Sequence, residues 1–387
     1  MIESVKVVAV DTSYAGSGGR LLKIKPNGKS SFETPTRPIS VPEFKAKEFL
    51  GFRGVIEGHL GAEQIDMNAD VFARFLKQNG TVKYVRRKIT KFADISCCFE
   101  NFPILDVPQI TPDQKTALKL LLEMQLRIPT LNNVSVPLVQ TGNEAQFEKI
   151  IRDWGKDAEQ YGKGVVPQLS MKEDLDAFKK KLVTLSEMAD SNEVQVVNLC
   201  YANPDSYPHQ FVTLWENREA KLVFNCSGVP SGGKPVADGL YESRSIELQR
   251  YGIDMFTRKT RTPDPKYVFM LMHQAPPTSI DQIQDFVWPY HPGGAILEKD
   301  LWLSLPPKNV ECRCKVCKGL TPNDIRDAYS YDVDGKIIGP GMEKASKLHD
   351  VISGQVEYSE VRKRISSNEM SDYVEHLSRY REDKLTR

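Results

Sequence analysis

The chain lacks the signatures that would put it in a membrane or around a nucleotide's phosphates. No apolar run approaches the ~18–20 residues of a membrane-spanning helix. The opening MIESVKVVAVDTSYAG has acid early and lacks the basic-then-apolar order of a secretory leader. No G-x-G-x-x-G or G-x-x-x-x-G-K-[ST] opens a helix, which disfavours a Rossmann or P-loop site. Internal repeats and low-complexity tracts are missing, so solenoids and propellers lose their main signature. Excess charge of one sign is missing too: Lys+Arg number 52 against Asp+Glu 51, a net charge of +1. No global field draws the chain to a polyanion, and any such site must be a local patch. These absences predict a soluble, cytoplasmic protein.

What is present is an ordinary globular composition, 40% hydrophobic and 27% charged over 387 residues. That length exceeds the usual ~100–200 residues per domain, so the chain is two domains or one large α/β barrel with attachments. Short β-branched runs alternate with amphipathic stretches: VSVPLVQTG (134–142), GVVPQLS (164–170), VQVVNLCYA (194–202) and KLVFNCSG (221–228), the first three followed by helical patterns. Continuous apolar strands of this kind belong to parallel sheets covered on both faces. Upstream, FETPTRPIS (32–40), GVIEGHL (54–60) and FADISCCF (92–99) add strand candidates. TPDQKTALKLLLEMQLR (111–127) reads as a helix with Thr111 as N-cap and Pro112 in its first turn. Seven or eight alternations predict a (β/α)8 barrel from about 30 to 305, its reactive groups at the C-terminal ends of the strands. The expected division is 1–305 for the barrel and 306–387 for a zinc-binding, helical C-terminal subdomain, with 257–310 an irregular excursion.

Seven cysteines are unevenly placed: Cys97, Cys98, Cys200 and Cys226 lie in apolar strand-like runs, whereas Cys312, Cys314 and Cys317 crowd into ECRCKVCKG. The first four read as core thiols. The C-x-C-x-x-C trio, with His349 in GMEKASKLHDVISG, completes a closed tetrahedral Zn2+ shell of the structural kind. His376 is the competing fourth ligand.

Several motifs together resemble the tRNA-guanine transglycosylase superfamily. GGRLLKIKPNGKSSFETPTRPIS (18–40) is similar to its G-R-L…T-P-x-x-x-P opening, and CRCKVCKGLTP (312–322) with KLHDVISGQVEYSEVRKRI (347–365) is similar to its metal-binding close. VPLVQTG resembles a base-reading Q-G-G strand and GKGVVPQLS a G-G-L-S strand. The D-S-G-G-F-Q strand and F-D-S/C nucleophile motif are absent as written. That departure, with the lack of an archaeal RNA-binding extension, favours the DpdA branch, which resembles the tRNA enzymes but inserts a 7-deazaguanine base into DNA. The resemblance implies a zinc-stapled barrel that replaces guanine in DNA, or in tRNA, with a deazaguanine.

Base exchange at C1′ passes through oxocarbenium-like charge and needs a nucleophilic carboxylate plus a second group for proton transfer. Asp106, ending CCFENFPILDVP, sits where the family's base-reading acid falls; Asp94 is the alternative. ELQRYGIDMF (247–256) resembles the G-V-D-M-F that precedes the family's nucleophile, yet Thr257 follows where Asp is expected. If KLVFNCS were the last strand, Asn225 would stand there. Asp254 is the only aspartate in either segment and is the expected nucleophile, ahead of Asp238. Gln140 and Gln168 offer amides to a purine edge, with backbone groups at Val166 and Pro167, and TRKTRTPDPK (257–266) offers charge to phosphates. A second expectation is a catalytically silent barrel that binds nucleic acid or a partner subunit.

Overall fold

The computed structural model describes residues 2–13, 18–44, 59–67, 69–93, 98–106, 114–138, 144–230, 233–237, 240–258, 287–290, 295–304, 312, 314–317, 320–321, 324–325 and 342–376. It is a mixed α/β structure in which parallel strands alternate with helices. Three strands open the chain, β1 (Ile2–Val10), β2 (Arg20–Pro26) and β3 (Phe32–Glu33), paired antiparallel in that order. Parallel pairs follow: β4 (His59–Asp66) with β5 (Cys98–Asp106), and β6 (Asn133–Ser135) with β7 (Gly164–Val166). A four-stranded parallel sheet runs β8 (Gln168–Ser170), β9 (Val196–Cys200), β10 (Val223–Val229) and β13 (Met255–Arg258).

The run 32–40 divides in two. Phe32–Glu33 joins β2, while Thr36 and Ile39 make single parallel bridges to Met255 and Gly61. Pro35 and Pro38 carry no amide hydrogen, so this segment cannot complete a ladder and touches β13 and β4 only at isolated points. Between β5 and β6 the described link is a side-chain bond, Asn133 Nδ2 donating to Glu100 Oε2 at 2.8 Å.

Period-two alternation sends the strands' side chains to two buried faces. Ile65, Leu105, Val134, Leu169, Val197, Leu199 and Phe224 pack against the helices. These are α1 (Ala69–Lys77), α2 (Asn79–Ala93), α3 (Lys115–Leu126), α4 (Glu144–Glu159), α5 (Leu175–Asp190), α6 (Pro208–Glu216) and α7 (Arg244–Gln249). Leu60, Ala62, Phe102, Ile104, Val166, Val196, Val223 and Met255 face the other way, onto Ile2, Val5, Leu22 and Ile24 of the antiparallel sheet. Burial on both faces is why these strands read as unbroken apolar runs.

The expected helix over 111–127 is described from Lys115 with Gln114 as N-cap; Thr111 and Pro112 lie outside the described residues. The segment 257–310 is more regular than its proline content suggests. Beyond the end of β13 it supplies β14 (Val287–Tyr290), β15 (Ala295–Glu298) and α8 (Lys299–Ser304). β14 and β15 pair antiparallel with β11 (Lys234–Ala237) and β12 (Leu240–Glu242), in the order β11-β12-β15-β14. Pro289 lies on β14, an edge strand, where a missing N–H is tolerated.

A 26-residue helix, α9 (Met342–Ser367), ties the end of the chain to its beginning. Val361 and Ile365 pack on Leu21, and Arg362 donates to the Pro35 carbonyl. Beyond α9 the helical turn 370–376 is capped from the other terminus, as Asp11 Oδ2 accepts from Met370 N and Ser13 Oγ from Ser371 N, both at 3.0 Å. Among the described residues no helix is long and apolar enough to cross a membrane.

Candidate metal centre and polar strand ends

The cysteine trio and His349 converge as their spacing predicts. C-x-C-x-x-C lets backbone amides fold over the sulfurs: Cys314 N donates to Cys312 Sγ at 3.5 Å and Cys317 N to Cys314 Sγ at 3.3 Å. His349, in the second turn of α9, is fully buried. Its Nδ1 stands 3.8, 3.2 and 2.9 Å from the sulfurs of Cys312, Cys314 and Cys317. All four ligand atoms lie within 4.8 Å of one another. A tetrahedral zinc with bonds of about 2.3 Å to sulfur and 2.0 Å to nitrogen has sulfur–nitrogen edges of about 3.5 Å. The three distances straddle that value, so the quartet can hold a metal such as zinc. His376 is exposed and is not part of the cluster.

His349, Cys314 and Cys317 are all shifted by one another's proximity. Burial lowers the His349 imidazole, but hydrogen bonds to Cys312 and Cys314 and their negative charge outweigh it, raising it to about 10. Hydrogen bonds from Cys312 and Cys317 hold the Cys314 thiol far below its usual range, while the same contacts push Cys317 up. Protons shared among buried sulfurs and a ring nitrogen stand where a divalent cation would satisfy all four donors at once.

The next residue carries this centre to the sheet. Asp350 Oδ1 accepts from Arg258 Nη2 at 2.6 Å, at the C-terminal end of β13, and Oδ2 accepts from Arg37. Arg37 also pairs with Glu43. Burial disfavours the Arg37 cation, and Asp350 and Glu43 more than restore it.

Polar side chains line up across the parallel strands: Gln168 opens β8, Asn198 is the middle residue of β9, Asn225 and Ser227 lie within β10, and Thr257 within β13. Gln168 is 2% exposed; its Nε2 donates to the Leu105 carbonyl at 2.7 Å and its Oε1 accepts from Asn198 at 3.4 Å. Asn198 accepts from Asn225 at 2.8 Å and donates to Ser227 at 3.0 Å, and Thr257 donates to Asn225 at 3.3 Å. One side-chain network thus spans β5, β8, β9, β10 and β13. Burying these groups costs little only because each is bonded. Gln168 is therefore anchored to the sheet. The carbonyls of Val166 and Pro167, expected near a purine edge, are taken by Val136 N and Asn198 N.

Asp254 differs from expectation. It precedes β13 at the N-terminal end of the sheet and is 1% exposed. Arg20 grips both carboxylate oxygens, Phe224 N donates to Oδ2 at 2.7 Å and Thr34 Oγ1 to Oδ1 at 3.3 Å. Burial pushes this carboxyl up, and those partners oppose the push. Arg20 also donates to the carbonyls of Arg218, Ala220 and Leu222 and lies 4.3 Å from the Phe224 ring centroid. All of the donor and acceptor capacity is used inside the fold, so Asp254 is corrected from nucleophile to structural ion pair. Further along the same segment, Thr257 lies on β13 and donates to Asn225.

Asp106 ends β5, and its register partner on β4 is Asp66. Asp66 is half-buried and lies two residues past Gln64, in the series Leu60, Ala62, Gln64 that faces away from the helices. Sequence reading missed Asp66. Its signal was an acid closing the polar end of the run HLGAEQID. Asp94, Gln140, Asp238 and positions 259–266 of the basic run lie outside the described residues.

A scan against models of known protein families matches none of them, and a search of curated proteins finds no match to the chain.

Proposed function

We propose that this protein is a base-exchange transglycosylase that replaces guanine in DNA with a 7-deazaguanine base, built on a closed (β/α)8 barrel with a structural zinc. Support for closure comes from residues 36–39, which bridge β4 on one side and β13 on the other, both parallel. With that segment as the first strand, and with β7 and β8 taken as one strand interrupted at Pro167, the parallel strands number eight, the count the fold requires. The motifs at both ends of the chain that resemble the transglycosylases supply the reaction class.

The observation that carries the chemistry is the register pairing of Asp66 with Asp106 at the strands' C-terminal ends. Register partners on neighbouring strands stand about 4.8 Å apart at the backbone and can serve one site, and retaining glycosidases work with a pair of carboxylates. One carboxylate oxygen attacks C1′ as the C1′–N9 bond breaks, and the other acid protonates the leaving guanine. The incoming deazaguanine then attacks C1′ and gives its proton to that second group, freeing the first carboxylate. Zinc takes no part in these steps; Cys312, Cys314, Cys317 and His349 would hold it to fix α9 and its Asp350 contact to Arg258.

Labelled-guanine release from duplex DNA and from tRNA, run in parallel, tests the reading. The expected result is exchange on DNA, lost in Asp106→Asn. Exchange confined to tRNA would move the substrate. No exchange on either, with nucleic acid still bound, favours the second reading, a silent nucleic-acid-binding barrel, to which Thr257 in place of an acid points.

A further inference from the structure

Helix α2, NGTVKYVRRKITKFA, carries five basic residues and no acidic one. The whole chain has a net charge of +1, so the +5 of this helix leaves the remainder at −4. Lys83, Arg86, Arg87 and Lys91 are exposed, and among the described residues no salt bridge to an acid is formed by Lys83, Arg86 or Arg87. On α1, Arg74 and Lys77 are exposed as well. By contrast α4, of similar length, has Arg152 bonded to Glu148 and Glu193 and Lys149 beside Asp153.

The helix's other side is spent. Val85, Ile89 and Phe92 are buried in the main core. An interfacial membrane helix needs an apolar face to insert, and α2 has already committed its own to the protein. Beside the cations, Tyr84, Arg87, Lys88 and Lys91 line an open cleft of about 630 Å³ together with Val41, Pro42 and Glu63. Lys88 Nζ lies 5.2 Å from the Tyr84 ring centroid. An aromatic ring among cations suits a base stacked beside its phosphates. Among the described residues lining the cleft Glu63 is the one acid; its Oε2 accepts from Val41 N at 3.1 Å, and burial raises its carboxyl against the pull of that bond and of Lys88.

We propose that the exposed face of α2 is a nucleic-acid backbone contact, a strip of Lys83, Arg86, Arg87 and Lys91 that grips successive phosphates and gives this nearly neutral protein its affinity for a polyanion. From Lys83 to Lys91 the helix rises about 12 Å, enough to face three or four phosphates at about 3.4 Å of axis each. The strip shares a partner with the proposed activity but not its chemistry, so binding stands or falls separately from base exchange.

The test is the salt dependence of binding of fluorescent duplex and single-stranded oligonucleotides, read by anisotropy. The variant Lys83→Gln/Arg86→Gln/Arg87→Gln/Lys91→Gln should lower the slope of log K against log salt by about 3 on duplex, since each phosphate no longer neutralised removes about 0.9. A control with the same charge change elsewhere, Lys119→Gln/Lys156→Gln/Lys179→Gln/Lys180→Gln, should keep the wild-type slope. All eight positions are exposed, so both variants should melt as wild type does. An unchanged slope in the α2 variant, an equal reduction in the control, or wild-type binding to phosphatidylserine vesicles but to neither oligonucleotide would overturn the proposal. A positive result in a protein without exchange activity would leave the strip standing and remove the enzyme.

Discussion

The two ends of the parallel strands are built from opposite materials. At the N-terminal end the charges are locked in: Asp254 between Arg20, Thr34 and the Phe224 amide, and Lys163 donating to the carbonyls of Gln125 and Ile128. Around them lie Leu60, Val196, Val223 and Met255 against the antiparallel sheet. Further along, polar groups lie side by side across strands, in the chain from Gln168 through Asn198 and Asn225 to Thr257, and at the C-terminal ends of β4 and β5 Asp66 and Asp106 stand in register. A buried acid whose every lone pair is committed stabilises a fold, and an acid left half-buried at a strand's C-terminal end is where chemistry is expected. Burial alone does not separate the two kinds of acid; their partners and their places along the strands do.

Removing the metal should do the most damage, and should do it at the C-terminal end. Purified protein should contain one zinc per chain, and Cys314→Ser should lose it at a cost on the order of 5 kcal/mol, part of the ~10–16 kcal/mol that closed zinc sites supply in small peptides. Releasing His349 also releases its neighbour Asp350 from Arg258 and Arg37. Metal-free protein as isolated, or an unchanged melting temperature in Cys314→Ser, would contradict the assignment.

Asp254→Ala comes next, at about 3–5 kcal/mol, because it leaves Arg20 buried without its counter-ion. The paired change Arg20→Met/Asp254→Leu should recover much of that loss in denaturant titrations. A destabilisation below about 1 kcal/mol for Asp254→Ala, the scale of an exposed ion pair, coupled to complete loss of exchange, would restore it as a catalytic group and collapse the contrast between the ends.

A smaller effect is read in pH. Burial lowers the Lys163 ammonium from 10.5 to about 8. Between those values the unfolded chain binds the proton that the folded chain has released, so this group makes stability rise with pH across the window. Lys163→Met should flatten that rise in melts between pH 8 and 10.5. An unchanged slope would mean that the amine stays charged where it caps the end of α3.

The cysteine–histidine cluster was legible in the sequence because it is local: C-x-C-x-x-C brings three thiols within one turn, and a histidine on a following helix joins them. Strand–helix alternation was legible for the same reason, since each run carries its own periodicity. What the sequence hid depends on register. Nothing in QIDMN or PILDVP says that Asp66 and Asp106 are paired, and nothing near GIDMF says that Arg20, far earlier in the chain, has claimed Asp254. The resemblance drew attention to the one carboxylate beside M-F, whereas the fold reserves that position for an ion pair. Prolines at 35 and 38 masked how the first strand divides.

The most direct test is Asp66→Asn, assayed for incorporation of labelled guanine into duplex DNA beside a binding isotherm and a thermal melt. The account predicts a melting temperature and DNA affinity like those of the parent with exchange reduced on the order of 1000-fold, the scale expected when a covalent or proton-transfer group is removed. Exchange at the parental rate in Asp66→Asn would contradict it.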